Sequence, residues 1–115
     1  MAKGPITTHV LDVSRGMPAM GTPVRLEQRK APDSWKLIGQ AATNSDGRAD
    51  DLLPSDWPLE NGVYRLTFET AAYWKTLKTE GFYPFVEVVF EVKDKRHHHV
   101  PLLLSPFGYS TYRGS

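Results

Sequence analysis

HHHVPLLLSPFGYSTYRGS, residues 97–115, combines an apolar segment, a turn and a polar, aromatic ending. Residues 100–104 have the run of large aliphatic side chains expected of a buried strand, and Pro106 and Gly108 mark a turn. A second strand is predicted over residues 109–113. Chain ends usually fray. This one is so rich in hydrogen-bonding groups, directly after a strand, that we expect it to be held against the protein body.

Strand patterns of similar length recur along the rest of the chain. β-Branched residues and alternation of apolar with polar side chains predict five further strands. These are residues 6–13, 23–30, 35–42, 62–69 and 85–92. Only residues 70–78 carry apolar side chains at helical spacing, and Thr70 is the expected N-cap. Asp46-Gly47 is a strong signal for a tight hairpin turn.

Seven to eight short strands and one helix predict an all-β fold, a two-sheet β-sandwich with one short α-helix. The 115 residues fit a single domain spanning residues 1–115. A hydrophobic content of 40% suffices for a small core and excludes a disordered chain. A domain of this size without disulfides often gains burial by oligomerising.

Charge and composition exclude several classes of function. With 14 basic and 13 acidic residues the net charge is +1, so neither a nucleic-acid groove nor a membrane-surface patch is expected. The absence of cysteine excludes disulfides, thiolate metal sites and cysteine nucleophiles. No apolar run approaches the ~18 residues of a membrane-spanning helix. Because neither end carries a secretory or Ser-Lys-Leu signal, we expect a cytoplasmic protein, with the peroxisome as the alternative.

Histidines are the first candidates for chemistry, and the sequence has four: His9, His97, His98 and His99. Neighbouring side chains in a strand point to opposite faces, so within the triple run only His97 and His99 can converge. A zinc site needs about three protein ligands, and neither cysteine nor a His-Glu pair at helical spacing completes one here. We therefore predict no metal. From the residues alone, polar side chains on a strand surface remain the simpler interpretation.

Three other residues have equally plain interpretations at this stage. Arg48 follows the Asp-Gly turn and suits a solvated position. Tyr112 and Ser115 suit an edge strand and a frayed end. The sequence has no Gly-rich phosphate loop and no Gly-x-Ser-x-Gly nucleophile motif. Residue patterns by themselves therefore predict a β-sandwich and leave its function open.

Several motifs taken together resemble the transthyretin-related proteins, and among them the 5-hydroxyisourate hydrolases. They are TTHVLD (7–12), TNSDGR (43–48), FYP (82–84) and HVPLLLSP (99–106), followed by the ending YRGS (112–115). The resemblance spans essentially the whole chain. The YRGS ending is its most discriminating part, because the thyroid-hormone carrier transthyretin, on the same fold, lacks it and also lacks the two histidines.

The resemblance implies a transthyretin-like sandwich of two four-stranded sheets, assembled as a homotetramer with active sites in a central channel. It implies catalytic roles for His9, Arg48, His99 and Ser115, and substrate-binding roles for His9, Arg48 and Tyr112. The implied reaction is hydrolysis of the cyclic amide of 5-hydroxyisourate, in urate (purine) breakdown, by histidine-activated water. No cofactor is implied.

Two other functions stay open at this point. A transthyretin-like carrier would bind a small aromatic ligand in the tetramer channel without turnover. A plain β-sandwich interaction module would hold its histidines by chance and would be monomeric.

His98 departs from the resemblance, because the family usually has an aromatic residue just before the last histidine. The downstream Val100-Pro101 fixes His99 as the family's histidine. Strand alternation turns position 98 away from His99, so we expect altered packing or interface polarity and no loss of chemistry.

Overall fold

The computed structural model describes residues 3–114, which form two β-sheets and one short helix, as predicted. Seven of the strands have four or more residues and two have only two. The strands are β1 (Ile6–Asp12), β2 (Met17–Pro18), β3 (Pro23–Ala31), β4 (Ser34–Ala42), β5 (Arg48–Ala49), β6 (Gly62–Phe68), β7 (Val86–Val92), β8 (His98–Ser105) and β9 (Gly108–Thr111). The helix is α1 (Thr70–Thr76), and no helix in this part of the chain is long and apolar enough to cross a membrane.

The first sheet joins the two ends of the chain. Its order is β2-β1-β8-β9, and β5 pairs with a different part of β1, so that it has five strands instead of the implied four. β1 and β8 run parallel, from the pair Ile6 and His98 to the pair Asp12 and Leu104. Parallel neighbours require a long connection, and here that connection is most of the protein. Residues from both ends of the sequence consequently meet on one surface.

The second sheet has the order β4-β3-β6-β7 and is antiparallel throughout. Apolar and polar side chains alternate along β3, so that Val24 and Leu26 are buried while Arg25 and Glu27 are partly exposed. Thr67 of β6 is buried, although its alternation with Leu66 and Phe68 predicts a position facing the solvent. The inner faces of the two sheets supply the apolar core between them.

The Asp-Gly turn forms, but it does not close a hairpin. Gly47 has a φ of 76°, and its N–H donates to the carbonyl of Asn44 at 2.9 Å. The hairpin prediction is wrong because β4 and β5, on either side of the turn, belong to different sheets. The turn instead carries the chain from the second sheet to the first and sets Arg48 against β1.

The helix begins at Thr70, and Glu69 occupies its N-cap without a side-chain hydrogen bond. The prediction of Thr70 as the N-cap is wrong, because its hydroxyl donates to the carbonyl of Tyr83 at 2.9 Å. Tyr73 fastens the helix to the first sheet by donating to the carboxylate of Asp12 at 2.7 Å. Burial, with a further contribution from that carboxylate, raises the pKa of Tyr73 to about 12.

Candidate active site

The outer face of the first sheet brings three of the predicted residues together. His9 in β1 has Arg48 of β5 as its pairing partner on one side. On the other side of β1, Thr7 pairs with His99 of β8. Residues two apart on a strand share a face, as do directly paired residues. His9, Arg48 and His99 therefore lie side by side on one surface.

An open cleft of about 640 Å³ lies on this surface. Among residues 3–114, the ionisable side chains that line it are five basic residues and one tyrosine: Lys3, Arg48, Lys95, His97, His99 and Tyr112. No described lining residue is acidic, and His9 lies beside Arg48, outside this lining. A concave site of one charge sign concentrates ligands of the opposite sign. The cleft therefore favours an anionic ligand.

His99 is held at two points. Its Nδ1 lies 2.7 Å from the hydroxyl oxygen of Thr7, and its carbonyl accepts the N–H of Gly114 at 2.8 Å. Gly114 packs so closely on the ring that a Cβ at this position would lie 2.5 Å from Cδ2 of His99. Because Nδ1 is occupied, Nε2 is the ring nitrogen left for a ligand in the cleft.

His9 and Arg48 are fixed by the same turn. Nε2 of His9 lies 2.7 Å from the carbonyl oxygen of Asp46, and since a carbonyl only accepts, Nε2 carries the proton. Nδ1 of a neutral His9 is therefore unprotonated. The backbone N–H of Arg48 donates to the side-chain oxygen of Asn44 at 3.0 Å. The Arg48 guanidinium forms no ion pair with another described residue.

The electrostatic surroundings favour the neutral form of His99. Burial lowers the pKa of this imidazole from its ordinary value of 6.5, because the charged ring loses hydration. Three neighbouring basic groups lower it further, and one carboxylate opposes them: Arg48, His97 and His9 against Asp50. At neutral pH His99 is thus available to accept a proton.

The C-terminal segment is held against β8, as its polar composition predicted. Gly114 forms an antiparallel bridge with His99. Tyr112 is largely exposed and lines the cleft. Ser115, for which the resemblance implied a catalytic role, lies outside the described residues.

Two residues to which the resemblance gave no catalytic or binding role, His97 and Thr7, also belong to this surface. The rings of His97 and His99 converge as alternation predicted, with centroids 6.2 Å apart. Thr7 lies between them, and its hydroxyl oxygen is 3.0 Å from Nε2 of His97. Strand alternation predicts that Thr7 shares a face with His9, but only the parallel pairing of β1 with β8 shows that it lies opposite His99. Within residues 3–114, no group of three or more His, Cys, Asp or Glu side chains is arranged to hold a metal ion.

His98 faces away from His99, as alternation predicted. It is 4% exposed and lines an apolar groove of about 260 Å³ between β7, β8 and β9. Its Nδ1 is buried without a hydrogen-bond partner among the described residues. Burial lowers its pKa from the ordinary 6.5. A polar ring is therefore buried at a mainly apolar groove, although charged residues such as Arg113 lie close enough to act on it.

Comparison with known proteins identifies the family. Residues 6–114 match the HIUase/Transthyretin family. The chain is 50% identical to the 5-hydroxyisourate hydrolase of Mus musculus, covering 96% of this chain and 95% of that protein. The 5-hydroxyisourate hydrolase of Klebsiella pneumoniae superposes with a TM-score of 0.84 at 34% identity over 100% of both chains. Sea bream transthyretin, solved with thyroxine, superposes with a TM-score of 0.89 at 33% identity over 96% of this chain and 94% of its own. The chain therefore belongs to the HIUase/Transthyretin family.

Proposed function

We propose that this protein hydrolyses 5-hydroxyisourate, an unstable product of urate oxidation, to 2-oxo-4-hydroxy-4-carboxy-5-ureidoimidazoline. The proposal depends on one observation above all: His9, Arg48 and His99 lie side by side on one surface, where Arg48 and His99 line a basic cleft. Opening a cyclic amide needs an activated water, stabilisation of the developing oxyanion and a proton for the leaving nitrogen. Two imidazoles and a guanidinium supply these three functions.

His99 is the proposed base. Its lowered pKa keeps the ring neutral at neutral pH, and the contact of Nδ1 with Thr7 leaves Nε2 for the cleft. Nε2 removes a proton from water as the water oxygen attacks the substrate carbonyl. Proton transfer by a positioned side chain typically contributes about 10²- to 10⁴-fold to the rate.

Arg48 is proposed to stabilise the negative charge of the substrate and of the transition state. Its planar donor fork matches the carbonyl oxygens of a urate-like ring better than a point charge does. Removing one preorganised donor from a site of this kind costs about 10²- to 10³-fold in kcat. Lys3 and Lys95 at the same cleft add to the positive potential that attracts an anionic substrate.

His9 is the proposed partner of His99. Because its Nε2–H is bound to the carbonyl of Asp46, the ring is held beside Arg48 with Nδ1 unprotonated. Through Nδ1 it accepts a hydrogen bond from the attacking water and so orients it, while the proton for the leaving nitrogen comes from His99. Tyr112 is proposed to form one wall of the substrate site, and Ser115 to complete it from the end of the chain.

A transthyretin-like carrier is the second candidate, because sea bream transthyretin, solved with thyroxine, has the same fold at 33% identity. The 50% identity to the mouse hydrolase favours the enzyme. So does the YRGS ending. A carrier also has no need for two imidazoles beside one arginine.

We further propose that the protein is a cytoplasmic homotetramer of the transthyretin type, built from a single domain of residues 1–115. β7 and β9 are edge strands in their sheets, and they carry the exposed apolar side chains of Val89 and Tyr109. Exposed strand edges of this kind readily pair with another chain. Sedimentation equilibrium tests the assembly, and a monomer at micromolar concentration would contradict it.

A coupled spectroscopic assay tests the reaction. Urate oxidase generates 5-hydroxyisourate in the cuvette, and its decay is followed with and without this protein in the presence of a chelator. We expect decay well above the spontaneous rate, with large losses in His9→Ala and His99→Ala. Binding of the substrate without acceleration would favour the carrier. Near-wild-type turnover in either variant would show that its imidazole is not the base.

A further inference from the structure

The hydroxyl of Thr7 links two imidazoles that differ in exposure. Its oxygen lies 2.7 Å from Nδ1 of His99 and 3.0 Å from Nε2 of His97. Thr7 is 1% exposed, whereas His99 is half-buried and His97 is exposed. The three groups therefore form a continuous hydrogen-bonded path from the half-buried ring of His99 to the exposed ring of His97, both of which line the cleft.

The number of protons shared by Thr7 and the two imidazoles restricts the tautomers that His97 and His99 can adopt. A hydroxyl donates one proton, so Thr7 donates to one ring and accepts from the other. When both rings are neutral, they therefore carry their protons at the same ring position, either both at Nε2 or both at Nδ1. Only the second arrangement leaves Nε2 of His99 unprotonated, which is the form that a base facing the cleft requires.

We propose that Thr7 is a positioning residue that selects this tautomer of His99 and relays protons between His99 and His97. The proposal rests on the hydrolysis proposed above. As Nε2 of His99 takes a proton from water, Nδ1 passes its own proton to the Thr7 oxygen, and the Thr7 hydroxyl proton moves to Nε2 of His97. His99 is then neutral with a proton on Nε2, and the positive charge rests on His97.

The second half of the reaction runs the relay backwards. Nε2 of His99 gives its proton to the leaving nitrogen, His97 returns its Nε2 proton to Thr7, and Thr7 reprotonates Nδ1 of His99. The starting tautomers are restored and no proton is gained or lost. The physical advantage is that the positive charge formed during the reaction lies on His97. Burial and the adjacent Arg48 disfavour a cation at His99. An exposed ring is hydrated and holds the charge at lower cost.

Thr8 provides a matched control. It is the next residue of β1, is fully buried, and donates its hydroxyl to the carbonyl of Val100 at 2.6 Å. Thr8→Val therefore removes a buried hydroxyl from the same strand without removing a contact of either imidazole. Both Thr7→Val and Thr8→Val are expected to lower stability, but only the first is expected to affect turnover.

The kinetic test separates kcat from KM. Thr7→Val is expected to lower kcat on the order of tenfold, because a hydrogen bond to a charged ring is lost. KM stays unchanged because buried Thr7 does not contact the substrate. Thr7→Ser keeps the hydroxyl and is expected to retain wild-type kcat. In His97→Gln the side chain cannot take up a proton, so kcat falls and added imidazole restores part of it. Unchanged kcat in Thr7→Val, or an equal loss in Thr8→Val, would overturn the relay.

Nitrogen NMR of the imidazole rings gives a readout that does not depend on turnover. In the neutral wild-type protein, His97 and His99 are both expected to be protonated at Nδ1, and Thr7→Val is expected to abolish this match. An active wild-type enzyme with unmatched tautomers would overturn the relay alone. A wild-type protein that does not accelerate the decay of 5-hydroxyisourate would overturn the proposed function itself.

Discussion

Replacing His98 with phenylalanine is expected to make the fold less sensitive to acid. The imidazole is 4% exposed, its Nδ1 is buried without a partner among the described residues, and an apolar groove of about 260 Å³ lies beside it. This groove gives the larger phenyl ring room. A buried polar atom without a partner costs about 1–3 kcal/mol, so we expect His98→Phe to be more stable by about 1 kcal/mol at alkaline pH.

The pH dependence follows from the lowered pKa of His98. The unfolded chain protonates near the ordinary value of 6.5, whereas the folded protein resists protonation to lower pH. The unfolded state therefore binds more protons below that value, and the free energy of unfolding falls as the pH falls. Because His98 binds at most one proton, it can change the free energy of unfolding by at most about 1.4 kcal/mol per pH unit. His99 acts with the same sign, but it is present in both proteins and cancels in the difference.

Urea unfolding at fixed protein concentration, over a series of pH values from neutral to mildly acidic, measures this difference. The stability of the wild type is expected to fall more steeply below the ordinary histidine pKa than that of His98→Phe. His98→Asn is the matched control, because it removes the titrating ring and keeps a polar side chain. It is expected to flatten the pH dependence without the gain in stability at alkaline pH. Parallel curves for wild type and His98→Phe would refute the reasoning.

Three further perturbations test the site and its support. Arg48→Lys is expected to raise KM for 5-hydroxyisourate by about tenfold or more, because an ammonium cannot reproduce the donor fork; unchanged constants in the decay assay would contradict the role. Because the pKa of His99 is lowered, kcat/KM is expected to fall with acid only below pH 6.5. Arg48→Gln removes one cause of the lowered pKa and is expected to shift this fall to higher pH. An unchanged pH profile would show that Arg48 does not influence the protonation of the base. Tyr73→Phe removes the donor to the buried carboxylate of Asp12, so a loss of about 1.5–3 kcal/mol is expected in urea unfolding. No loss would show that the carboxylate finds another donor.

Local patterns were sufficient to predict most of the secondary structure. Strands whose faces differ in polarity, such as β3, follow directly from alternation. The Asp-Gly turn was predicted as a turn because Gly47 needs a positive φ, which local sequence determines. The partner of the strand after the turn is determined by tertiary packing, so the hairpin prediction failed. Thr70 likewise suits an N-cap by residue type, yet a neighbouring carbonyl from the following loop takes its hydroxyl.

The candidate site was harder to predict from residue patterns, because its members lie far apart in the sequence. Alternation alone places His97 and His99 on one face of the last long strand, and Thr7 and His9 on one face of the first strand. It did not reveal that these two faces are the same surface. The resemblance to a known family supplied that link for His9, Arg48 and His99. It gave no role to Thr7, whose position opposite His99 appears only with the pairing of β1 and β8.

The parallel pairing of β1 with β8 makes the geometry of the imidazoles depend on the hydrophobic core. Val100, Leu102 and Leu104 point inward from β8 and are at most 7% exposed, while His99, the residue before Val100, points outward. A slip of one residue would exchange these faces, moving the apolar side chains into water at about 1.5–3 kcal/mol each. It would also bury His99 away from Thr7 and Arg48. The same inward residues that stabilise the sandwich therefore hold His99 in the register that the proposed chemistry requires.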